Sequence, residues 1–347
     1  MESIDEEGVA GSFKPGDMFG DCIVERLLGK GGLGFVYLVH GSDGKRYALK
    51  TLCTNATENS PEYKQRFAQE ANLMMTLRHR NLVRVYDAGE DAERGICYIM
   101  MEYMPGGTLK DRIIKHGAMS VSDAISIATQ IAEALAMAHF HGVIHRDVKP
   151  DNILFAADGT PKLSDLGVAK LIRGGGEGTE TMQGVIIGTP AYMAPEQILD
   201  SSHIDERADI YSLGVALYEM LTGKRPNHGS TVMGMLAKAV KGDPLPDVRT
   251  MRPEVSASVA YVLSLMCAPK PENRPVTSRA VADLLVRASV DGLILPQDTP
   301  PKSAECNERK GGWLARFFRR IADKLGGLAD RQTRKSVMGM FLPLVPR

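Results

Sequence analysis

The stretch His145-Arg146-Asp147-Val148-Lys149-Pro150-Asp151-Asn152 constrains this chain more than any other. It is a short charged loop wedged between two segments of different period. Before it, residues 120–139 place Ile125, Ala128, Ile131, Ala132, Leu135 and Ala138 on one helical face. Ser120 with Asp123 resembles a capping box at the start of that helix, and Gly142 ends it. After the loop, Ile153-Leu154-Phe155 is a β-prone run. The fold must hold this loop between a long helix and a strand, which is where chemistry-bearing loops are expected. The loop offers a carboxylate that can accept a proton (Asp147), an ammonium that can hold a phosphate oxygen (Lys149) and an amide oxygen that can ligate a divalent metal (Asn152).

Upstream, Leu28-Gly29-Lys30-Gly31-Gly32-Leu33-Gly34-Phe35-Val36-Tyr37 has the spacing G-x-G-x-x-G. A dinucleotide-binding turn with that spacing must open a helix. Here a β-branched and aromatic run follows, so a glycine hairpin between two strands is expected instead. Such a hairpin is either plain structure or a phosphate cradle, because glycines let backbone N–H groups approach an anion closely. Residues 46–50 read as the next strand, ending on Lys50. Residues 62–77 have helical spacing through Tyr63, Phe67, Ala71, Met74 and Leu77, with Glu70 inside that apolar face. A carboxylate there is either the solvated edge of the face or needs a partner, and Lys50 is the candidate. Three further strands are expected between 82 and 102: at 82–87, at 96–102 and in the link between them. Residues 209–220 are apolar on nearly every side after their first turn, so this helix belongs at a centre, stopped by Gly223 and Pro226.

In this order and at these spacings the segments resemble the motifs of bacterial Ser/Thr protein kinases. The 145–152 loop is similar to the family's catalytic loop, with Lys149-Pro150 as its Ser/Thr version. Asp165-Leu166-Gly167 stands where the family has D-F-G, with Leu166 keeping the apolar character of the replaced Phe. Gly188-Thr189-Pro190, Ala194-Pro195-Glu196 and Glu272-Asn273-Arg274-Pro275 follow in family order. The resemblance covers about residues 17–290. It implies an α+β, bilobal fold: a small β-rich N-lobe at 17–103 and a larger helical C-lobe at 104–290.

The resemblance also implies roles. The reaction would be γ-phosphoryl transfer from ATP, with Mg2+ or alternatively Mn2+, to Ser/Thr hydroxyls of protein substrates. Asp147 would take the hydroxyl proton, Lys149 would steady the γ-phosphate, and Lys50 paired with Glu70 would orient the other phosphates. Leu28, Gly29, Gly31, Gly34, Val36, Ala48 and Leu154 would surround the nucleotide. Met101 would be the gatekeeper, and backbone groups of Glu102 and Met104 would bond adenine. Asn152 and Asp165 would hold the metal ions. Thr189 would bridge Asp147 and Lys149, Glu196 would pair with Arg274, Asp209 would tether the loop backbone, and His145 would pack beneath it as a structural residue. Residues 171–185 are glycine-rich and polar where the family keeps its activation loop. Arg146 beside Asp147 suits a phosphothreonine, so Thr179 and Thr181 are expected autophosphorylation sites, modified in trans within a homodimer. The rival reading there is an unmodified flexible loop. A nucleotide-binding scaffold without catalysis would usually lack Lys50, Asp147 or Asp165, and all three are present. A small-molecule phosphotransferase is opposed by Ala194-Pro195-Glu196 and the threonine-bearing loop.

Bulk properties narrow the rest. Lys+Arg and Asp+Glu each number 42, which argues against nucleic acid as a partner. Cysteines number 5, an odd count without C-x-x-C spacing, so neither a zinc site nor a disulfide framework is expected, and a reducing cytoplasm is the default. Residues 1–16 are acidic and polar, read as a disordered arm rather than a signal peptide. Residues 291–311 read as a linker, and 312–347 as a basic amphipathic tail. In the tail, Leu314, Phe318, Ile321 and Leu325 form a stripe flanked by Arg316, Arg319, Arg320 and Lys324. That helix would lie on an anionic membrane surface, dock on a partner protein, or fold back on the preceding domain. The first option makes the location membrane-peripheral. The final Leu344-Val345-Pro346-Arg347 also matches the front of a common protease-cleavage tag.

Overall fold

Antiparallel strands build the first half of the fold, and helices the second. The computed structural model describes residues 12–31, 34–52, 61–91, 94–166, 190–199, 204–226, 234 and 241–290. They belong to one unit of the chain, and the second unit, 180–187 with 295–347, lies outside the described residues.

The strands are β1 (Met18–Phe19), β2 (Cys22–Gly31), β3 (Gly34–His40), β4 (Arg46–Leu52), β5 (Val85–Asp91) and β6 (Ile96–Glu102). They form one sheet in the order β1-β2-β3-β4-β6-β5, and the pairs are antiparallel. Strand alternation sorts their side chains onto two faces. One face buries Phe19, Val24, Phe35, Tyr37, Val39, Leu49 and Ile96. The other carries Ala48, Leu52, Cys97, Ile99 and Met101 and packs on α1 (Pro61–Thr76) through Phe67, Ala71 and Met74. Lys50 lies between Ala48 and Leu52 in the strand, so the period of two puts it on this second face.

Two expectations about this half are corrected. The polar arm does not extend to Gly16. Phe13 packs edge-on against Phe19 and Tyr37, its N–H donates to the Tyr37 hydroxyl at 3.0 Å, and Gly16 N–H bonds Val24 O at 2.8 Å. One aromatic residue thus anchors the chain before the first strand. Nor is there a third strand between β5 and β6 among the described residues. Gly95, at φ 65°, closes a turn back to Asp91 O at 2.7 Å. Residues 82–84 lie outside β5, and Leu82 makes only a single bridge to Leu163.

The helical half contains α2 (Leu109–His116), α3 (Val121–Phe140), the hairpin β7 (Ile153–Phe155) and β8 (Pro161–Leu163), α4 (Pro195–Leu199), α5 (Arg207–Thr222), α6 (Ala257–Met266) and α7 (Ser278–Ser289). Ser120 caps α3, accepting from Asp123 N–H at 3.1 Å and donating to its carboxylate at 2.7 Å. A reciprocal capping box at Thr108 and Asp111 starts α2, a T-x-x-D signal unread in the sequence. In α5 the whole run from Ala208 to Thr222 is buried, as an all-round apolar helix demands. Its polar residues survive there because each is bonded: Ser212 Oγ donates to Tyr192 O, Thr222 Oγ1 to Tyr218 O, and Glu219 accepts from Lys110 Nζ, each at 2.8 Å. Gly223, at φ 69°, takes the left-handed C-terminal position.

The halves meet at the chain segment after β6. Gly106 N–H bonds Phe155 O at 2.9 Å and Phe155 N–H bonds Gly107 O at 3.0 Å, docking that segment on β7. Buried Asn81 ties the region after α1 to Pro161 O at 2.8 Å and to Gln130 of α3 at 3.0 Å. The 145–152 loop lies at this junction, between α3 and β7.

Candidate active site

The loop is held from below by buried acceptors. Asp209, fully buried on α5, accepts from His145 N–H and Arg146 N–H, each at 2.8 Å, and lies 2.8 Å from His139 Nε2. His145 is also fully buried. Its Nε2 donates to Ser164 O at 2.7 Å, which leaves Nδ1 to accept from Asp147 N–H at 3.2 Å. These bonds hold Arg146 at φ 67°, a left-handed conformation that side chains other than glycine rarely adopt. Such strain persists only where surrounding contacts over-determine it.

Above this base the polar side chains of the loop form one knot. Asp147 Oδ2 accepts from Lys149 Nζ at 2.7 Å and from Asn152 Nδ2 at 3.1 Å. Asn152 Nδ2 also donates to Asp147 O at 2.8 Å. With its nitrogen committed this way, Asn152 keeps its Oδ1 without a bond among the described residues. Asn152 O in turn accepts from Ser164 N–H at 2.9 Å and Ser164 Oγ at 3.1 Å, which joins the knot to Asp165. Asp165 has φ 60°, the second left-handed non-glycine residue of the described chain. Its Oδ1 accepts from Lys50 Nζ at 2.7 Å. Burial raises the Asp165 carboxyl pKa, but the Lys50 charge and hydrogen bond outweigh it and leave the value below the ordinary one. Two oxygen-bearing side chains, one of them anionic, suit a hard cation such as Mg2+.

Lys50 was expected to pair with Glu70. Its described partner is Asp165; Glu70 lies on α1, but its side chain is outside the described residues. The expected apolar walls do converge. Ala48, Met101 and Met104 are buried in one cluster, and Leu28, Val36 and Leu154 pack against it. A cavity of about 20 Å³ lies among Met74, Met101, Asp165 and Leu166. Leu166 is buried, keeping the apolar role expected of it. Glu102 N–H bonds Arg84 O at 2.8 Å, and its carboxylate takes Lys162 Nζ at 2.8 Å. Met104 forms no backbone hydrogen bond among the described residues.

Gly29, Gly31 and Gly34 lie on the β2–β3 hairpin, and Gly31 pairs with Gly34. The tip, residues 32 and 33, lies outside the described residues, as do Thr179, Thr181 and Thr189. Arg146, the expected partner of a phosphothreonine, has a buried Nε with no hydrogen bond among the described residues. Glu196 and Arg274 do form the expected ion pair, at 2.5 and 2.8 Å. Sequence reading missed Ser164, which links Asn152 to Asp165, and Gln197, which bonds Arg146 O. No periodicity or charge pattern marks either.

The profile of the protein kinase domain matches residues 22–286. The serine/threonine-protein kinase PknB of Mycobacterium leprae is 37% identical over 265 residues, covering 75% of this chain and 42% of that protein. Pkn1 of Myxococcus xanthus, also a serine/threonine-protein kinase, is 38% identical over 75% of this chain and 37% of its own length. The chain thus spans about two-fifths of the curated relatives it matches. Among solved structures, the PknI kinase domain of Mycobacterium tuberculosis is 28% identical with a TM-score of 0.62, covering 80% of this chain and 100% of that one. Rad53 1-466 in complex with AMP-PNP has a TM-score of 0.62 and 26% identity, covering 76% of this chain and 64% of that one. With a β-rich N-terminal half, a helical C-terminal half and the loop between them, the chain belongs to the protein kinase family.

Proposed function

We propose that this chain is an ATP-dependent serine/threonine-protein kinase, transferring the γ-phosphoryl group to hydroxyls of protein substrates. One observation carries the reading: Asp147, Lys149 and Asn152 share a hydrogen-bonded knot that Ser164 joins to the Lys50–Asp165 pair. Asp147 keeps Oδ1 without a described partner, so it can orient a Ser or Thr hydroxyl and accept its proton. Lys149 is held on Asp147 Oδ2, within reach of a phosphate oxygen as charge shifts. Lys50 brings a cation to the α- and β-phosphates. Asn152 Oδ1 and Asp165 would hold magnesium, which supplies charge neutralisation between the phosphates. Leu28, Val36, Ala48, Met101 and Leu154 would enclose adenine, with the free backbone groups of Met104 bonding its edge. That Rad53 1-466, similar in fold, is solved in complex with AMP-PNP supports nucleotide binding by this chain. Most of the rate enhancement would come from positioning and electrostatics.

The test is incorporation of labelled phosphate from Mg-ATP into the protein and into a generic basic protein. The expected result is incorporation on Ser/Thr that drops roughly 10²- to 10⁴-fold in Asp147→Asn. Nucleotide binding with no transfer by the parent protein under any metal would overturn it.

Regulation belongs to the same reading. Arg146 Nε is a buried donor without a partner among the described residues, suited to the phosphate of Thr179 or Thr181 after autophosphorylation in trans. Mass mapping of protein incubated with ATP should find phosphate there; bare threonines in fully active protein would sink that part.

A further inference from the structure

We propose that Gln197 is a positioning residue for phosphoryl transfer, its amide pinning the peptide group that aims Asp147. The inference rests on the kinase reading above. Gln197 lies on α4 and is 5% exposed. Its Oε1 accepts from Ala194 N–H at 2.9 Å and its Nε2 donates to Arg146 O at 3.0 Å. A primary amide is suited to both partners at once, since it offers an acceptor and a donor on one rigid head. A carboxylate offers acceptors only, and a thioether barely either.

The Arg146 carbonyl belongs to the peptide whose N–H is that of Asp147. That N–H donates to His145 Nδ1, so the peptide plane is pinned at both edges, by His145 on one and Gln197 on the other. The preceding plane is fixed by Asp209 through Arg146 N–H. Between the two planes Arg146 holds its left-handed φ of 67°. Loss of the Gln197 donor removes the bond that pins the half-buried Arg146 carbonyl and frees this plane to rotate. Rotation swings the Asp147 carboxylate relative to Lys149 and Asn152. The other end of the amide holds Ala194, two residues after Tyr192, whose carbonyl is fixed by Ser212 of α5. Gln197 therefore couples the 190–194 segment to the catalytic loop without touching a reacting atom.

Gln197→Glu separates positioning from packing. The introduced carboxylate keeps the shape and can still accept from Ala194, but sets oxygen against oxygen at Arg146. At neutral pH kcat should fall roughly tenfold to a hundredfold, with KM for ATP within about twofold of the parent. Burial raises a carboxyl pKa, so acid restores a neutral group whose O–H can donate to Arg146 O. The ratio of variant to parent activity should then rise as pH falls from about 8 to about 6. The charged and titratable groups on the elements around it are His145, Arg146, Asp147, Lys149 and Asp151 on the loop, Arg207, Asp209 and Glu219 on α5, and the Glu196–Arg274 pair. All are common to both proteins, so the ratio isolates the introduced group. Gln197→Met fills similar volume without either bond, and should lose kcat with no recovery in acid.

Full activity of Gln197→Glu at neutral pH, or equal losses in both variants with a flat pH ratio, would overturn the proposal. So would losses that track thermal unfolding midpoints alone. A parent protein that transfers no phosphate instead fails the kinase reading, on the parent's own assay.

Discussion

A methyl group added at Gly34 would drive into the Thr51 carbonyl of the neighbouring strand, and Gly34 already sits at φ 141°, where L side chains are strained. At Gly29 the same methyl group meets nothing within 4 Å. Gly34→Ala should therefore lower stability by about 1–3 kcal/mol, read as a drop in the urea midpoint. Gly29→Ala should leave that midpoint unchanged and raise KM for ATP instead, if the open space is where the nucleotide lies. Equal midpoints for the two variants would refute the distinction. Cys267 offers a second check at this scale. It is fully buried in the core, and burial pushes its thiol up to about 12. It should resist alkylation at mildly alkaline pH until the protein is unfolded. The linkage has a definite sign. Above the ordinary thiol value near ~8.5 the unfolded chain loses this proton while the folded chain keeps it, so this thiol's contribution to stability declines from there towards about 12. Cys267→Ala should flatten that part of the stability–pH curve. The residue types of the candidate site were legible in sequence because each has a distinctive chemistry: a carboxylate, an ammonium and an amide on one loop. The strain at Arg146 and Asp165 was not, because neither residue type announces a positive φ as glycine does.

A close contact between helices lies at Gly214, in the middle of α5. A Cβ there would lie 2.5 Å from Cys267 Sγ and 3.0 Å from Met266 Cβ, at the end of α6. An ordinary helix position would gain about 0.5–1 kcal/mol from Gly→Ala. Here the gain is reversed, because the sulfur is itself buried and cannot swing away. Gly214→Ala should be net destabilising by roughly 1–3 kcal/mol, and adding Cys267→Ala should recover part of the loss. Independent, additive effects in equilibrium unfolding would sink this account. α3 read correctly because burial of one face imposes a helical period, and α5 because burial on every side imposes an almost unbroken apolar run. The link between β5 and β6 misled because two strands can be closed by one glycine turn, which needs no third strand. Phe13 misled because a single aromatic residue in a polar stretch has no period to report.

At the scale of the whole chain, Glu196 and Arg274 hold together segments 78 residues apart. Arg274 is 4% exposed, yet its guanidinium is fully bonded: Nε to Ala268 O, Nη1 to Glu196 Oε1 and Arg207 O, Nη2 to Glu196 Oε2 and Pro269 O. The guanidinium also lies 4.9 Å from the Tyr211 ring centroid. Five bonds match the five N–H donors of an arginine, so the charge is compensated without water. This joint binds α4, α5 and the segment between α6 and α7, and with α4 it fixes Gln197 beside the 145–152 loop. Removing one partner of such a pair leaves an uncompensated buried charge, which costs about 3–5 kcal/mol. Glu196→Ala should accordingly lower the unfolding midpoint severely, and added salt should rescue little because buried pairs are poorly screened. Glu196→Ala with Arg274→Met removes the orphaned charge and should be less destabilised than the sum of the single changes. If Glu196→Ala instead unfolds with the parent's midpoint, the pair is ornamental and the joint must lie in the apolar contacts beneath it.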